Sequence, residues 1–384
     1  METLDRIYLD YAATTPLDDR VFEKMTPYFR ENFGNPSSVH YIGQVAEAAL
    51  EKSRVTVAGY LGCLPEEIFF TACGTESDNM AIKGAAFAKR KANGANRLLI
   101  SPVEHHAVSR TAEQLCQLFG FEVDYLPVDQ YGKVDPDDVQ QMIDPKTALV
   151  SVIYANNEIG TINPVNEISD ICIAKDVPFH TDAVQAAAHL PIDMSKNQIS
   201  LMAIGAHKFY GPKGVGVLFC RKGTPIIPMS AGGGQENGLR SGTQNVPYIV
   251  GLAEAFKLTQ DEIQEREKYL IPLRDQIIGT VLEEIDDVKL TGDPKNRLPN
   301  HASFVFKGVD GNELLMLLDA AGYACSSGSA CKTGNPEPSE VLTAVGLSPE
   351  WGLGSLRITL GKNTTHEQVA SFLKVLPEIV NTAR

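Results

Sequence analysis

The sequence predicts an α/β protein with a large domain built on a mostly parallel sheet and a smaller C-terminal α+β domain. Between residues 65 and 220, short apolar strand patterns alternate with helical patterns. Such alternation is typical of parallel sheets that are covered by helices on both faces. A long helical pattern over 246–285 then leads into a smaller set of strands and helices. We therefore expect a large domain at residues 15–255 and a small domain at 256–384, on which residues 1–14 pack.

The strand and helix patterns follow one another in a regular order along the chain. A short continuous apolar run indicates a buried strand, whereas apolar residues spaced three or four apart indicate a helix. In the large domain the strand patterns are "EIFFTA", "RLLIS", "ALVSVIYA", "PFHTDA", "SLMAIGA" and "GVGVLFC". The helical patterns that alternate with them are "ESDNMAIKGAAFAKR", "AVSRTAEQLCQLFG" and "VNEISDICIAKD". The small domain continues with "ASFVFK", "GNELLMLLDAAG", "GSLRITLG" and a final helix.

Composition and charge exclude several classes of function. The chain has 384 residues, of which 43% are hydrophobic and 21% charged, so it can bury a large core. A net charge of −14 argues against nucleic acid or an anionic membrane as the main partner, because both attract basic surfaces. The opening "METLDRIYLD" lacks the basic and apolar runs of a signal peptide, and no apolar run approaches the ~18 residues of a membrane span. We therefore expect a cytoplasmic protein that binds neither nucleic acid nor membrane.

The seven cysteines are scattered and include no CxxC pair, which argues against a disulfide framework and a zinc site, so we expect no metal. Cys331 lies among serines, glycines and prolines in "YACSSGSACKTGNPEPSEV". A buried structural cysteine would have apolar neighbours instead. This composition predicts a solvated, flexible segment with an accessible thiol, whereas Cys325, beside a strand pattern, is more typical of a structural residue.

Two polar residues follow consecutive strand patterns of the large domain. Lys208 comes after "SLMAIGA", and Asp182 ends the preceding strand pattern in "PFHTDA". The carboxyl ends of parallel strands meet at the edge where open α/β sheets bind ligands. A lysine there can form a Schiff base with pyridoxal phosphate (PLP), whose ring nitrogen needs an acidic partner. The alternatives are a surface lysine and an aspartate that caps a helix.

A phosphate site is indicated where "FFTACGTESDNMAIKG" passes from strand to helix. The backbone N–H groups at Gly74 and Thr75 would lie at the positive end of the helix dipole, which favours anions. The alternative interpretation of the same residues is an ordinary helix cap.

Over nearly its whole length the chain resembles the cysteine desulfurases of the NifS/IscS type, within the class V aminotransferase group of fold-type-I PLP enzymes. The matching motifs, in order, are "YLDYAATTP", "GNPSSVH", "GTESDNMAIKG", "EHHAV", "ANNEIG", "HTDAVQ", "AHKFYGPKGVG", "GGGQENGLRSGT", "SSGSAC", "EPSEVL" and "GSLRITLGKNTT". Their order and spacing agree throughout. The resemblance implies a fold-type-I PLP-dependent transferase with PLP as its cofactor.

The resemblance also implies which residues contact the PLP ring. Lys208 matches the Schiff-base lysine, and Asp182 matches the partner of the ring nitrogen. His105 of "EHHAV" matches the histidine that stacks on the ring and assists proton transfer. Gln185 matches the residue that binds the phenolic oxygen, and Asn157 of "ANNEIG" matches a further cofactor contact.

The phosphate contacts implied by the resemblance are Thr75, His207 and Thr243, of which Thr243 comes from the other subunit of a homodimer. Gly74, at the strand-to-helix passage described above, is a further expected cofactor contact. One departure from the family pattern falls at this site. Gly205 stands where the family has a serine whose hydroxyl binds the phosphate. We therefore expect weaker cofactor binding unless a backbone N–H or a water replaces that hydroxyl.

The implied reaction converts L-cysteine to L-alanine and leaves the sulfur as a persulfide on Cys331. Lys208, His105 and Cys331 would be the catalytic residues, while Arg357 and Asn157 would bind the substrate. A sulfur-acceptor protein, such as an iron–sulfur cluster scaffold, would then collect the sulfur. Two alternatives stay open: a selenocysteine or cysteine-sulfinate lyase on the same scaffold, and a non-catalytic adaptor with a PLP-enzyme fold.

Overall fold

The computed structural model describes residues 6–328 and 338–384. The strands in this part are, in chain order, β1 (Ile7–Tyr8), β2 (Ile68–Thr71), β3 (Arg97–Ile100), β4 (Glu122–Tyr125), β5 (Thr147–Ser151), β6 (Phe179–Asp182), β7 (Leu201–Gly205), β8 (Gly216–Cys220), β9 (Val288–Leu290), β10 (His301–Phe306), β11 (Tyr323–Ala324) and β12 (Ser355–Thr359). The α-helices are α1 (Asp19–Met25), α2 (Pro27–Arg30), α3 (Tyr41–Leu61), α4 (Gly74–Asn93), α5 (His106–Phe119), α6 (Pro136–Met142), α7 (Val165–Ala174), α8 (Ala186–His189), α9 (Val246–Glu284), α10 (Gly311–Ala320), α11 (Glu340–Ala344), α12 (Pro349–Gly352) and α13 (His366–Thr382).

The main sheet has seven strands in the order β2-β8-β7-β6-β5-β3-β4, and it confirms the predicted α/β class. Strand β8 is antiparallel to both of its neighbours, whereas the other pairs are parallel. Successive side chains of a strand point to opposite faces of the sheet. In β8, Val217 and Phe219 join one buried cluster and Leu218 joins another. Both faces are therefore buried, which explains the continuous apolar strand patterns.

The carboxyl ends of β6 and β7 lie side by side in this sheet. Asp182, the last residue of β6, is opposite Ala203 in the parallel register. Lys208 follows β7 in a short 3-10 turn at Ala206–Lys208. The prediction that Asp182 and Lys208 follow neighbouring strand ends is therefore confirmed.

The C-terminal section is built on an antiparallel sheet in the order β12-β10-β9. Its buried cluster includes Leu9 from the N-terminal segment, and β1 pairs with β11. Helix α9 reaches both sections, because its Phe256 packs in the cluster of the main sheet and its Leu270 packs in the C-terminal cluster. The expected limits 15–255 and 256–384 divide this helix, and they stay a prediction.

Helix α9 is the longest in the described ranges, with 39 residues. Its sequence mixes charged and apolar positions over its whole length. No helix within residues 6–328 and 338–384 is long and apolar enough to cross a membrane. The same ranges contain no group of three or more His, Cys, Asp or Glu side chains arranged to hold a metal ion.

Candidate active site

A cavity of about 320 Å³ lies at the carboxyl ends of β5, β6 and β7. The sequence-predicted residues that line it are Gly74, Thr75, His105, Asn157, Asp182, Gln185, His207, Lys208 and Arg357. Thr243 is exposed and does not line this cavity. Cys331 lies outside the described residues. The fold thus gathers into one cavity nearly all the side chains that the resemblance assigns to one chain.

The amine of Lys208 is held inside this cavity. Its Nζ donates hydrogen bonds to the carbonyl oxygens of Ala12 at 2.8 Å and Ala13 at 2.7 Å. Burial lowers the pKa of Lys208 to about 8, and the positive charge of Arg357 acts in the same direction. About a tenth of such an amine is neutral at pH 7, far more than for an ordinary lysine with a pKa near 10.4. Lys208 is therefore suited to act as a nucleophile and as a base.

The segment that precedes α1 forms part of the cavity, a role that the sequence reasoning did not assign to it. The carbonyl of Ala12 accepts a second hydrogen bond, from Gln185 Nε2 at 2.8 Å. Thr14 Oγ1 lies 3.1 Å from His207 Nδ1. Burial lowers the pKa of His207 to about 4, so its ring is neutral at pH 7. The motif "YLDYAATTP" indicates that this segment matters, but the motif alone does not predict that a backbone carbonyl and a hydroxyl group from it contact the cavity residues.

Asp182 places a buried carboxylate in the cavity at the end of β6. Its side chain is about 5% exposed, and its Oδ1 accepts a hydrogen bond from the backbone N–H of Val184 at 2.9 Å. Burial raises its pKa above the ordinary value, while the charges of His105 and Lys208 act against this rise. A cation close to Asp182 would therefore gain a strong electrostatic partner in a low-dielectric site.

His105 lies at the N-terminus of α5, where it caps the helix. Its Nδ1 accepts a hydrogen bond from the backbone N–H of Ala107 at 3.1 Å, so the neutral ring carries its proton on Nε2. His105 lines the cavity and is an exposed residue, although desolvation by the surrounding protein lowers the pKa of its ring. A neutral imidazole at this position can exchange a proton through Nε2.

The N-terminus of α4 offers backbone donors to an anion. Cys73 precedes the helix and makes no side-chain capping hydrogen bond. The first N–H groups of a helix, here those of Gly74 and Thr75, have no intrahelical acceptor. A Cβ on Gly74 would lie 2.6 Å from Cγ2 of Val184, so only glycine permits this close approach of the helix to the strand end.

Gly205, the departure from the family pattern, faces the same helix start. A Cβ built on Gly205 would lie 3.6 Å from the backbone nitrogen of Gly74 and 3.5 Å from Cγ1 of Val184, which are ordinary contacts. Its φ of −128° and ψ of 122° suit any residue. The backbone therefore accommodates a serine here, and the glycine is not required by geometry.

Arg357 projects into the cavity from β12. Its Nη2 donates to Asp10 Oδ1 at 2.8 Å, and its Nη1 donates to the backbone oxygen of Asn157 at 3.0 Å. The Nε–H group is buried and has no hydrogen-bond partner among residues 6–328 and 338–384. A buried donor without an acceptor is costly, and it would be satisfied by an anionic ligand.

Two further buried carboxyl groups accompany Asp182, and the sequence reasoning missed both. Asp78 lines the cavity from α4, is about 1% exposed, and has its Oδ1 3.3 Å from Nε2 of His180. Glu104 accepts hydrogen bonds from Ser101 Oγ and from a backbone N–H. Burial and the neighbouring acids raise the pKa of Asp78 well above its ordinary value and that of Glu104 to about 8. At neutral pH the raised pKa of Glu104 favours its protonated form, and burial shifts the pKa of Asp78 in the same direction.

The residues of the cavity fit the chemistry of PLP. An amine with a lowered pKa can hold an aldehyde, and a buried carboxylate can pair with a ring nitrogen. Free backbone donors at the start of α4 suit a phosphate, and the close approach of that helix requires Gly74. The Nε of Arg357, which has no partner in the part of the chain that the structure describes, suits the carboxylate of an amino acid.

Comparison with known proteins agrees with this chemistry. The model of the aminotransferase class V family matches residues 7–372. Cysteine desulfurase IscS of Dictyoglomus turgidum is 47% identical over 98% of this chain and 95% of that protein. Cysteine desulfurase IscS of Methanosarcina thermophila is 48% identical over 98% of this chain and 93% of that protein. A solved NifS-like protein has a TM-score of 0.91 at 40% identity and covers 98% of this chain and 100% of its own. The chain therefore belongs to the class V aminotransferase family and, within it, to the cysteine desulfurases.

Proposed function

We propose that this protein is a PLP-dependent cysteine desulfurase, in which L-cysteine and the thiol of Cys331 give L-alanine and a persulfide on Cys331. The observation that carries the proposal is the meeting of Lys208, Asp182 and Arg357 in one cavity. An amine, a carboxylate and a guanidinium there match the needs of an aldehyde cofactor and an amino acid substrate. The atoms balance, because one sulfur atom moves from the substrate to the enzyme thiol.

The cofactor would be held by groups that the cavity already orients. Bound PLP supplies an electron sink, which makes the proton on Cα of an attached amino acid acidic. Lys208 would hold the aldehyde carbon, and Asp182 would pair with the ring nitrogen. The start of α4 would bind the phosphate, with His207 as a neutral contact beside it. Gln185 would bind the phenolic oxygen, and its side chain is already oriented by the carbonyl of Ala12.

Arg357 would bind the carboxylate of the substrate. Asp10 and the carbonyl of Asn157 fix the plane of its guanidinium, so little orientational freedom is lost when the substrate binds. Its Nε–H, for which the described residues offer no acceptor, is available to a carboxylate oxygen. Because a guanidinium can contact both oxygens of a carboxylate, this arrangement selects α-amino acids in one orientation.

Lys208 would also transfer protons. With its pKa lowered to about 8, a larger fraction of Lys208 is neutral at pH 7 than of an ordinary lysine, and the neutral amine can take up a proton from Cα. The same ammonium can return the proton to a neighbouring atom of the substrate. His105, which lines the cavity and carries its proton on Nε2, would assist this exchange.

Cys331 would carry out the sulfur transfer as a thiolate. Its sulfur attacks Sγ of the substrate, a sulfur–sulfur bond forms, and the Cβ–Sγ bond breaks. The electron pair of the broken bond remains on the carbon side, which takes up a proton and leaves as alanine. Only a few per cent of an ordinary thiol with a pKa of about 8.5 is ionised at pH 7.

Two partners are proposed: a second copy of this chain, because of the role expected for Thr243, and a sulfur-acceptor protein, because of the family. We place the protein in the cytoplasm as a homodimer, in which Thr243 of one subunit completes the phosphate site of the other. Its exposure on the single chain is compatible with this role. A sulfur-acceptor protein, such as an iron–sulfur cluster scaffold, would collect the persulfide sulfur.

The test is incubation of the PLP-loaded protein with L-cysteine and a dithiol, followed by measurement of alanine and sulfide. We expect equal amounts of both products, because the dithiol is oxidised as it releases the persulfide sulfur as sulfide. Lys208→Ala should abolish both products and the visible absorbance of the cofactor. Cys331→Ser should abolish sulfide release from cysteine, and turnover of cysteine by this variant at the wild-type rate would contradict the proposal.

A further inference from the structure

The carboxyl group of Glu158 lies against both described flanks of the segment 329–337. Ser339, on the downstream side, donates its hydroxyl proton to Glu158 Oε2 at 2.5 Å. Gly328, on the upstream side, is so close that a Cβ on it would lie 2.6 Å from the same oxygen. One carboxyl oxygen therefore touches two stretches of chain that are separated in sequence by the segment containing Cys331.

The upstream flank is also tied to the candidate substrate site. Ser326 and Arg357 exchange backbone hydrogen bonds, of 2.7 Å from the N–H of Arg357 and 3.3 Å from the N–H of Ser326. The guanidinium of Arg357 donates to the carbonyl of Asn157, which directly precedes Glu158. Glu158, Arg357 and the upstream flank are thus parts of one hydrogen-bonded unit beside the cavity.

The downstream flank is anchored by the same carboxyl group and by a helix. The hydroxyl of Ser339 accepts a hydrogen bond from the N–H of Val341 at 3.1 Å and so caps α11. Val341 packs in a buried cluster with Ile153, which itself lines the cavity. Since the hydroxyl donates to Glu158 and accepts from the helix, its position is fixed from both sides.

Glu158 is partly buried, and the charged and polar groups around it come from different elements. Burial raises the pKa of Glu158 to about 7, whereas the hydrogen bond from Ser339 and the charge of Arg357 on β12 act against that rise. Glu340 on α11 acts in the same direction as burial. The proposed chemistry assigns no step to Glu158, so its contacts with both flanks need another explanation.

We propose that Glu158 is a positioning residue that fixes the spacing of the flanks 326–328 and 338–339 beside Arg357, and thereby controls sulfur transfer to Cys331. The inference rests on the proposed function. It separates two stages of the reaction, because Glu158 should not affect how cysteine reaches the cofactor but should affect how its sulfur reaches the thiol. Gly328 is part of the same set of contacts, because any side chain at this position would displace the carboxyl group of Glu158.

The test compares the PLP-loaded variants Glu158→Ala and Glu158→Gln with Glu340→Gln. Glutamine keeps an oxygen that can accept from Ser339, and Glu340 is an adjacent acid whose partners, Arg110 and His106, lie on the surface. Two rates are measured in single turnovers with L-cysteine: the change in visible absorbance, which precedes thiol attack, and the persulfide on Cys331, trapped by alkylation and weighed by mass spectrometry.

We expect Glu158→Ala to leave the absorbance change within about twofold of wild type and to slow persulfide formation about tenfold or more, because misplacement of a reacting group is costly. Glu158→Gln should regain most of the lost rate, and Glu340→Gln should match wild type. Equal slowing of both rates in Glu158→Ala, or a wild-type rate of persulfide formation, would overturn the inference. A wild-type protein that changes absorbance but forms no persulfide would instead overturn the proposed function.

A double-mutant cycle checks the contact with Gly328 independently. Gly328→Ala should slow persulfide formation in the wild-type background, because its Cβ displaces the Glu158 carboxyl group. In the Glu158→Ala background the same change should have little further effect, since the obstructing oxygen is gone. Additive effects of the two substitutions would show that the flank does not act through Glu158.

Discussion

Asp10 accepts a hydrogen bond from Nη2 of Arg357 at 2.8 Å, so a residue near the N-terminus holds the guanidinium that faces the cavity. This ion pair joins β12 to the segment that precedes α1. The same segment supplies the carbonyl of Ala12, which accepts hydrogen bonds from both Lys208 and Gln185. The N-terminal segment thus orients three of the side chains that the proposed reaction needs.

Replacement of Asp10 should therefore weaken substrate binding. We expect Asp10→Ala to raise KM for L-cysteine about tenfold with a smaller change in kcat, because the guanidinium loses the partner that orients it. Asp10→Asn keeps an oxygen acceptor and should stay within about threefold of wild type. Steady-state kinetics of alanine formation measure both variants. A fall in kcat with an unchanged KM in Asp10→Ala would contradict this role.

The lowered pKa of Lys208 predicts a pH dependence of cofactor loading. Only the neutral amine attacks an aldehyde, so the rate at which the apoprotein gains the PLP absorbance should rise with pH and level off above about pH 8. A lysine with an ordinary pKa near 10.4 would give a rate that still rises above pH 9. Such a profile in the wild-type protein would contradict the assigned environment of Lys208.

The positive charge of Arg357 should account for part of the lowered pKa of Lys208. Arg357→Gln removes a positive charge that lowers the pKa of Lys208, so the midpoint of the loading profile should move to higher pH. Arg357→Lys keeps the charge and is the matched control, for which we expect the midpoint of the wild type. An unchanged midpoint in Arg357→Gln would mean that burial alone lowers the pKa.

Gly205→Ser should strengthen PLP binding. The backbone permits a Cβ at ordinary distances, and the added hydroxyl would lie beside the start of α4, where a phosphate is expected. One added hydrogen bond to a charged group stabilises by about 1.5–3 kcal/mol, so the dissociation constant should fall about tenfold or more. Titration of the apoprotein with PLP measures it.

Gly205→Ala is the control for this substitution, because it adds the Cβ without the hydroxyl. We expect it to bind PLP as the wild type does. If serine and alanine gave the same dissociation constant, the missing hydroxyl would not be the cause of any difference in affinity.

Glu104 should make the stability of the protein depend on pH. Its pKa is raised by burial from 4.5 to about 8, so the folded protein holds a proton that the unfolded chain releases above pH 4.5. This contribution to folding is fully present below pH 4.5 and is lost as pH rises through about 8. Glu104→Gln has no such proton, so its free energy of unfolding should fall less steeply between these limits. Urea denaturation of the apoprotein at a series of pH values tests this, and equal slopes would contradict it.

The fold could be predicted from the sequence where apolar strand patterns and the general rules of parallel-sheet topology lead to the same arrangement. The apolar runs that end at Asp182 and Gly205 are neighbouring strands, and the rule that ligands bind at the carboxyl ends of such strands led to the cavity with Lys208. The expected division at residue 255 was harder to define, because α9 carries one continuous helical pattern through both buried clusters.

Other parts of the site could not be predicted from local sequence. Asp78 and Glu104 belong to polar stretches beside helix starts, where an acid usually caps the helix in solvent, and only the packed fold shows that they are buried. The roles of Asp10 and Ala12 depend on the return of the N-terminal segment to the main sheet. Such contacts between distant parts of the chain leave no periodic signal.

Thr243 provides a test of the subunit arrangement. It is exposed and lies outside the cavity of its own chain, so Thr243→Glu should not disturb the fold of that chain. In the proposed homodimer it would place a carboxylate against the phosphate in the partner's site and reduce activity at least about tenfold through repulsion. Thr382→Glu, at an exposed position at the end of α13, is the control and should retain wild-type activity.

Mixing Thr243→Glu with Lys208→Ala distinguishes the two ways of assembling the site. If Thr243 acts across the interface, each heterodimer contains one site with both native residues, because both substitutions fall together in the other site. Random exchange of subunits should then restore about a quarter of the wild-type activity. If Thr243 acted within its own chain, each site of the heterodimer would carry one substitution. The mixture would then show no gain over the sum of its parts after refolding or coexpression.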